Sequence, residues 1–188
     1  RRLGRDPRAL FTEEEIKMAI SMGWEAGEVE KHEAEMLEKV FRFGDRQVQE
    51  VMTPRIDVEW IELGTTLKEF LTIYQDHPHS RFPVFEGHVE NVVGILSLKD
   101  VVATMARGGL SETDPVTESL QPVHFTPAIK LVGDLFREMQ EIGGQMALAV
   151  DEFGGIAGLV TLKKLIEEVV GRVGEEGMQP DSGYEIID

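Results

Sequence analysis

Two stretches of the sequence carry the same pattern, SRFPVFEGHVENVVGILSLKD at residues 80–100 and GQMALAVDEFGGIAGLVTLKK at residues 144–164. They align at an offset of 64 residues without a gap. Upstream, the same offset places Leu67 over Leu131 and Leu71 over Leu135, so positions of a predicted helix repeat together with those of the strands. Two copies are too few for a stacked solenoid. The repeat therefore predicts two similar units packed face to face in one globule.

Each copy reads as a helix, two strands and a second helix, with a short strand leading in. In the first copy, apolar spacings of three and four predict a helix over residues 67–74, and alternating or apolar runs predict strands over 82–85 and 91–96. Ser97, three residues before Asp100, is the predicted cap of the next helix. The second copy has the corresponding elements at 131–141, 146–150, 156–160 and from Thr161 to residue 170. Lead-in strands are expected near residues 58–61 and 123–125. The predicted class is α+β, with two pseudo-symmetric β-α-β-β-α units.

The ends of the chain differ from the repeat. Thr12 and Glu15 have the spacing of a capping box, which predicts a helix, and residues 28–43 predict a second helix with an apolar stripe among acids. Residues 174–188 are rich in Gly, Glu and Pro and are typical of a linker. The predicted domains are an N-terminal helical segment (1–43), two repeat units (44–108 and 109–174) and a C-terminal linker (175–188).

Composition excludes several classes of protein. The 188 residues are 41% hydrophobic and 29% charged, as in ordinary globular proteins, and 19 basic against 35 acidic residues leave a net charge of -16, which disfavours nucleic acid as a partner. The sequence has no cysteine and its five histidines lack metal-ligand spacing, so we predict no disulfide and no metal site. Nucleophile-elbow, Walker, kinase and Rossmann motifs are absent, and we predict that the chain is not an enzyme. We also expect no membrane span and no signal peptide, hence a soluble, cytosolic fragment.

The motifs together resemble a known family. FGDRQVQEVMTPR (43–55), HSRFPV (79–84), VDEFGG (150–155) and GLVTL (158–162) occur in this order within a resemblance that runs from about residue 12 to about 176. The chain resembles the CBS domain pair, a nucleotide-sensing module. It is similar in particular to the cytosolic part of the CorC, hemolysin-C and CNNM group of membrane proteins linked to magnesium and cobalt efflux. The resemblance implies an integral membrane domain upstream, a transporter-associated domain downstream, and a position at the cytosolic face of the membrane.

The residue types needed for a nucleotide site are present. A base requires an apolar slot, ribose requires an acceptor, and phosphates require donors or positive charge, preferably at a helix N-terminus. Ser80 and Arg81 offer a hydroxyl and a guanidinium, and Val160 and Thr161 end a strand before a helix. Thr53 belongs to an entry loop in which Ile56 and Val58 are plausible walls for the base.

The resemblance implies how these pieces combine. One cleft would take its entry loop and the Ser80-Arg81-x-Pro83 motif from the first half, and Val160, Thr161 and Lys164 from the second. Lys164 stands where the family pattern has an Asp that accepts ribose hydrogen bonds, a loss of about 1–3 kcal/mol. The other cleft keeps Ser97 and Asp100, but Gly144 and Gln145 replace its Ser-Arg pair. Of these two incomplete sites, the first is favoured because Arg81 supplies charge.

Two functions from different classes remain open on the sequence. The first is a regulatory module that binds an adenine nucleotide, ATP or AMP and possibly with Mg²⁺, in a transporter of the CorC type. The second is a degenerate CBS pair that serves only as a structural dimerisation unit. We expect a homodimer in either case, because the second helices of the two copies carry more apolar residues than one face needs: Val101, Val102, Met105, Leu165, Ile166 and Val169.

Overall fold

A computed structural model of the chain describes residues 11–171 and contains helices and strands in the predicted order. The helices are α1 (Glu13–Glu25), α2 (Lys31–Asp45), α3 (Leu67–Asp76), α4 (Leu98–Ala106), α5 (Val132–Ile142) and α6 (Leu162–Val170). The strands are β1 (Thr53–Pro54), β2 (Ile61–Glu62), β3 (Arg81–Glu86), β4 (His88–Ser97), β5 (Phe125–Pro127), β6 (Met146–Val150) and β7 (Ile156–Thr161). The α+β class is confirmed. The predicted linker after residue 174 lies outside the described residues.

The chain divides into two compact units. Residues 46–165 form the larger unit, which contains both copies of the repeat, and the smaller unit holds the N-terminal helices together with residues 166–171. In the smaller unit, α1 and α2 form a helical hairpin in which the Lys17 ammonium lies 5.3 Å from the centroid of the Phe41 ring. Helix α2 begins at Lys31, three residues later than predicted.

Each half of the larger unit is built on an antiparallel hairpin. In the first half, β3 pairs with β4, and Arg81 at the start of β3 lies opposite Ser97 at the end of β4. In the second half, β6 pairs with β7 in the same way, with Met146 opposite Thr161. The lead-in strands β2 and β5 join these hairpins in parallel. The sequence repeat therefore corresponds to a structural repeat.

The two halves exchange their entry segments. Strand β1, which precedes the first half, pairs with β7 of the second half, so that Thr53 lies opposite Leu159. Gln121, which precedes the second half, forms two reciprocal backbone hydrogen bonds of 2.9 Å with Ile95 of β4 in the first half. Each half thus supplies one strand-like segment to the sheet of the other.

The exchange explains the glycine in the repeated motif. A Cβ atom on Gly158 would lie 2.2 Å from the carbonyl oxygen of Thr53, and one on Gly94 would lie 2.5 Å from the Cβ atom of Leu120. Both distances are far below contact. Only glycine lets the entry segment of the opposite half approach the backbone this closely.

Apolar packing joins the halves as well. Within the first half, Phe70 and Phe82 meet edge to face with ring centroids 5.4 Å apart. A second cluster contains residues of both halves, and its members are Val58, Ile95, Met146, Leu148, Ile156 and Leu159. The carboxylate of Glu90 on β4 adds a polar link, since it forms an ion pair with Arg55 and accepts a hydrogen bond of 2.8 Å from the Ile156 amide.

Helix caps follow the sequence with one exception. The Thr12–Glu15 capping box is present, and the Thr161 hydroxyl accepts a hydrogen bond of 3.1 Å from the Lys164 amide. The predicted Ser97–Asp100 box is wrong, because the Ser97 side chain makes no capping bond. Ser97 is buried as the last residue of β4, and the strand pairing holds it in the sheet.

The close approach at Gly158 generates a stability prediction. We expect Gly158→Ala to lower the free energy of unfolding by about 1–3 kcal/mol, since the added methyl group must displace the Thr53 backbone. Thermal denaturation followed by circular dichroism should show a fall in Tm of roughly 3–10 °C.

Gly44→Ala is the matched control. Gly44 lies in α2, and a Cβ atom there would have no neighbour within 4 Å, so alanine should leave Tm unchanged or raise it slightly. A Gly158→Ala protein as stable as the wild type would show that the exchanged segment is not held tightly against β7.

Candidate functional site

Arg81, the first residue of β3, lies beside the N-terminus of α4 in the same half. The antiparallel register places it opposite Ser97, and the Leu98 amide at the start of α4 donates a 3.0 Å hydrogen bond to the Ser80 carbonyl. The chain segment before β3 and the first turn of α4 are therefore held together. A guanidinium, two hydroxyl side chains and the N-terminus of a nine-residue helix lie in one neighbourhood.

Two cavities meet at Arg81. One, of about 290 Å³, is lined by Ser80, Arg81, Ser97, Leu98, Lys99 and Val102. The other, of about 370 Å³, is lined by Arg81 and Ile95, by the entry segment 121–124 of the second half, and by residues 142–146. We call these two cavities together the Arg81 cleft. Each is near the lower end of the size range of small-molecule sites, so the pair offers room for a nucleotide-sized ligand.

Arg81 has an unsatisfied guanidinium nitrogen at the wall of the cleft. Its Nε atom is buried and makes no hydrogen bond, and among residues 11–171 it forms no ion pair with a carboxylate. Buried polar groups are almost always satisfied, so an unsatisfied guanidinium nitrogen at a cavity wall needs an explanation. In a chain of net charge -16, carboxylates are abundant, and the lack of an ion pair with any carboxylate that the structure describes leaves Arg81 available to an anionic ligand.

Asp100 contacts a residue of the cleft wall without lining either cavity at Arg81. Its Oδ2 atom accepts a 2.8 Å hydrogen bond from the Nε2 atom of Gln121, which lines the larger cavity. The carboxylate of the first half thereby holds the entry segment of the second half. The hydroxyl of Ser97, by contrast, makes no hydrogen bond in the described part of the chain.

A charged cluster borders the larger cavity behind its entry segment. His124 lines the cavity, and its Nε2 atom lies 3.5 Å from Oε1 of Glu138 on α5. The other oxygen of Glu138 forms an ion pair with Lys130. The hydrogen bond from Lys130 lowers the pKa of the Glu138 carboxyl, and the charges of Lys130 and His124 act in the same direction.

The cleft favoured in the sequence analysis combines Ser80 and Arg81 with the entry loop of the first half and the end of β7, and these last two segments pair in the sheet. Thr53 pairs with Leu159, which lies between Gly158 and Val160 on β7. Thr161 caps α6, and the Leu162 amide donates a hydrogen bond to the Gln145 carbonyl. We call this region the Thr161 cleft. Ile56 is 90% exposed in the entry loop, whereas Val58 and Val160 are buried core residues. Lys164 is exposed on the first turn of α6.

The structure distributes the predicted residues differently from the sequence analysis. Ser80 and Arg81 line a cavity with Ser97, and neither cavity at Arg81 is lined by Thr53, Ile56, Val58, Val160, Thr161 or Lys164. Pro83 is buried within β3 opposite Ile95. The reason is the hairpin geometry: the residue that starts the first strand of a hairpin lies beside the residue that ends the second. Arg81 therefore lies opposite Ser97 in the sheet, and the sequence-based grouping of Arg81 with Thr161 in one binding cleft stays a prediction.

Several residues of the Arg81 cleft were missed by sequence reasoning. Gln121 occupies in the second half the place that Thr53 occupies in the first, since their partners Ile95 and Leu159 are equivalent in the repeat. Their own separation is not 64 residues, because the two lead-in segments differ in length. The ungapped repeat therefore gave no signal for Gln121.

Between residues 11 and 171, no group of three or more His, Asp or Glu side chains is arranged to hold a metal ion. Over the same range, none of the helices combines the length and the apolar character required to span a bilayer.

The chain is similar to CBS domains of known structure. Residues 48–107 match the CBS domain family. The CBS domain of a bacterial CNNM/CorC family Mg²⁺ transporter is 35% identical, with a TM-score of 0.80 over 88% of this chain and 100% of that chain. The structure of such a domain in complex with ATP is 36% identical, with a TM-score of 0.68 over 74% of this chain and 97% of that chain.

Longer relatives show the same similarity. A UPF0053 protein of Mycobacterium tuberculosis is 37% identical over 174 residues, which cover 91% of this chain and 40% of the relative. A putative chloroplastic DUF21 domain-containing protein of Arabidopsis thaliana is 34% identical over 182 residues, 94% of this chain and 28% of the relative. The chain thus spans less than half the length of these relatives. With its two exchanged halves and these matches, the chain belongs to the CBS domains of the CNNM/CorC family, and residues 46–165 contain its tandem CBS pair.

Proposed function

We propose that this chain is the regulatory module of a CorC-type Mg²⁺ transporter and that it binds an adenine nucleotide between its two CBS halves. The observation that carries the proposal is Arg81, a cation that pairs with no carboxylate among residues 11–171 and lies at the wall of a cavity in an acidic protein. The related CBS domain solved with ATP, at 36% identity, supports the choice of ligand class.

The phosphates are assigned to Arg81. A guanidinium can donate two parallel hydrogen bonds to a phosphate, and the N-terminus of α4 adds amide donors and the positive end of a helix dipole. The Ser97 hydroxyl is available as a further donor, since it makes no capping bond. Mg²⁺ bound with the phosphates would reduce their repulsion from the acidic surface.

The base and the ribose are assigned to the larger cavity. Ile95, Val123 and Met146 supply apolar wall for an adenine ring. Gln121 is a polar group at the same wall, and its partner Asp100 offers the acceptor that ribose hydroxyls require. The Arg81 cleft has a guanidinium and, through Gln121, a hydrogen bond to the Asp100 carboxylate, whereas the Thr161 cleft has Lys164 in place of the acid. For this reason we assign the nucleotide to the Arg81 cleft. Thr53, Ile56, Val58, Val160 and Thr161 form the competing assignment.

Regulation follows from the exchanged entry segments. A ligand can shift a conformational equilibrium only by binding one state more tightly than the other. A nucleotide that contacts both Arg81 of the first half and Gln121 before the second half stabilises the arrangement of the two halves in which it can reach both residues. We propose that this bias passes through α1 and α2 to an upstream membrane domain, at the cytosolic face, with a transporter-associated domain downstream.

We also propose that the module works as a homodimer. Val102 and Met105 on α4 are exposed and apolar, and Ile166 on α6 is exposed too. Val101 and Leu165 are buried core residues, so they do not belong to the predicted dimer face.

A second candidate function is a structural dimerisation unit without ligand. Lys164 and Gln145 favour it, because Lys164 removes an acceptor from the Thr161 cleft and Gln145, which lines the larger cavity at Arg81, stands where a second basic group would be. It requires that the Arg81 cleft also stays empty.

The first test is binding of ATP. We expect ATP with Mg²⁺ to raise Tm of the chain in a concentration-dependent manner, and calorimetry to show saturable binding. Arg81→Ala should weaken binding about 10- to 100-fold, because charge-assisted hydrogen bonds to phosphate are lost, and Arg81→Lys should recover part of it.

Arg137→Ala is the control for charge. Arg137 is an exposed arginine on α5 that pairs with Asp134, and its removal changes the net charge by the same amount without touching the cleft. Equal losses in Arg81→Ala and Arg137→Ala would contradict a specific phosphate site. Wild-type chain that shows neither heat nor a Tm shift with millimolar ATP would support the structural unit instead.

A second experiment separates the two clefts. Ser97→Ala should weaken ATP binding about 3- to 10-fold and leave Tm of the free protein nearly unchanged, since the hydroxyl makes no capping bond to α4 that the substitution could remove. Thr161→Ala should lower Tm, because a helix cap worth about 1 kcal/mol is lost, and leave ATP affinity unchanged. The reverse pattern of affinities would assign the nucleotide to the Thr161 cleft.

A further inference from the structure

His124 places a titratable side chain at the wall of the Arg81 cleft. Its side chain is only 22% exposed and lines the same cavity as Arg81, and its Nε2 atom is buried without a hydrogen-bond partner. Histidine is the side chain that ordinarily changes charge between about pH 5 and 8. A change in its protonation therefore alters the potential inside the cavity.

We infer that His124 couples nucleotide affinity to pH, so that the cleft binds the polyphosphate more tightly when the His124 imidazole is protonated. This inference rests on the proposed nucleotide site and adds a regulatory input to it.

The charges around His124 determine the direction of the effect. Glu138 on α5 faces Nε2, Lys130 is paired with Glu138, and Arg81 on β3 lines the cavity from the first half. The hydrogen bond from Lys130 lowers the pKa of the Glu138 carboxyl, so Glu138 is ionised throughout the range in which histidine titrates. Glu138 and Lys130 cancel each other. Protonation of His124 then changes this cluster from neutral to a charge of +1 at the wall that faces the ligand.

Glu138 also makes the charged imidazole tolerable. The 3.5 Å separation between Nε2 and Oε1 becomes an ion pair once the ring is protonated, which offsets part of the desolvation of a half-buried cation. At the same time the second cation opposes Arg81 when the cleft is empty and complements the phosphates when it is filled. Nucleotide binding and protonation therefore favour each other, as thermodynamic linkage requires.

The test is the pH dependence of ATP affinity in wild type and in His124→Gln, measured by calorimetry from pH 8 to pH 6 at constant ionic strength. ATP itself titrates in this range, and this contribution is common to both proteins. We expect the ratio of wild-type to variant affinity to rise about 3- to 10-fold as the pH falls, the order expected for one added charge within a cavity width of the phosphates.

His88→Gln is the matched control. His88 is exposed at the β3–β4 turn, at the opposite end of the hairpin from Arg81, and its variant should follow the wild-type pH profile. Parallel profiles for wild type and His124→Gln would overturn the inference while leaving the nucleotide site intact. Failure of wild type to bind ATP at any pH would overturn both.

A measurement on the wild type guards against a misfolded variant. Imidazole resonances in carbon–proton correlation spectra at pH 6 should include one that shifts on addition of ATP, and this resonance should be absent from the spectrum of His124→Gln. If ATP binds and no imidazole resonance moves, His124 is remote from the ligand and the inference is wrong.

Discussion

The exchange of entry segments between the two halves is the constraint on which the rest of the structure depends. Strand β1 completes the sheet of the second half, and Gln121 bonds to β4 of the first, so neither hairpin has a full set of backbone partners by itself. The approach is close enough that Gly94 and Gly158 cannot carry a side chain without displacing the opposite segment. The apolar cluster around Val58 and Met146 then buries what the exchange brings together.

A ligand site at such a junction is coupled to the arrangement of the halves without any additional device. The Arg81 cleft has one wall from the end of the first hairpin and another from the entry segment and the 142–146 region of the second half. Any anion held by Arg81 against that wall adds free energy to the contact between halves. The hydrogen bond from Gln121 to Asp100 already spans the junction, so the protein's own contacts hold the same element that a ligand in this cleft would touch.

The repeat predicted the fold because its apolar positions and its turn residues recur together at one offset. Strands, turns and most caps follow local signals of this kind, and Thr161 is a cap in the structure as in the sequence. Which residues share a cleft does not follow from local sequence signals. Whether Arg81 lies beside Ser97 or beside Thr161 depends on which strand ends are adjacent in three dimensions, and the sequence motifs are compatible with both. Ser97 failed as a capping residue for a related reason: pairing within β4 outweighed its local preference.

The sequence differences between the two copies change which charged groups each half carries. Position by position, Arg81 corresponds to Gln145 and Asp100 to Lys164, so the second copy has lost both a cation beside the strand start and an acid on the following helix. Hairpin geometry places Arg81 opposite Ser97 within the first half, and Gln145 lines the larger cavity at Arg81, so the cleft that keeps the cation also contains the position that has lost one. A pseudo-symmetric scaffold whose two copies differ at these positions can bind one ligand asymmetrically, and an asymmetric ligand at the junction can favour one arrangement of the halves over another.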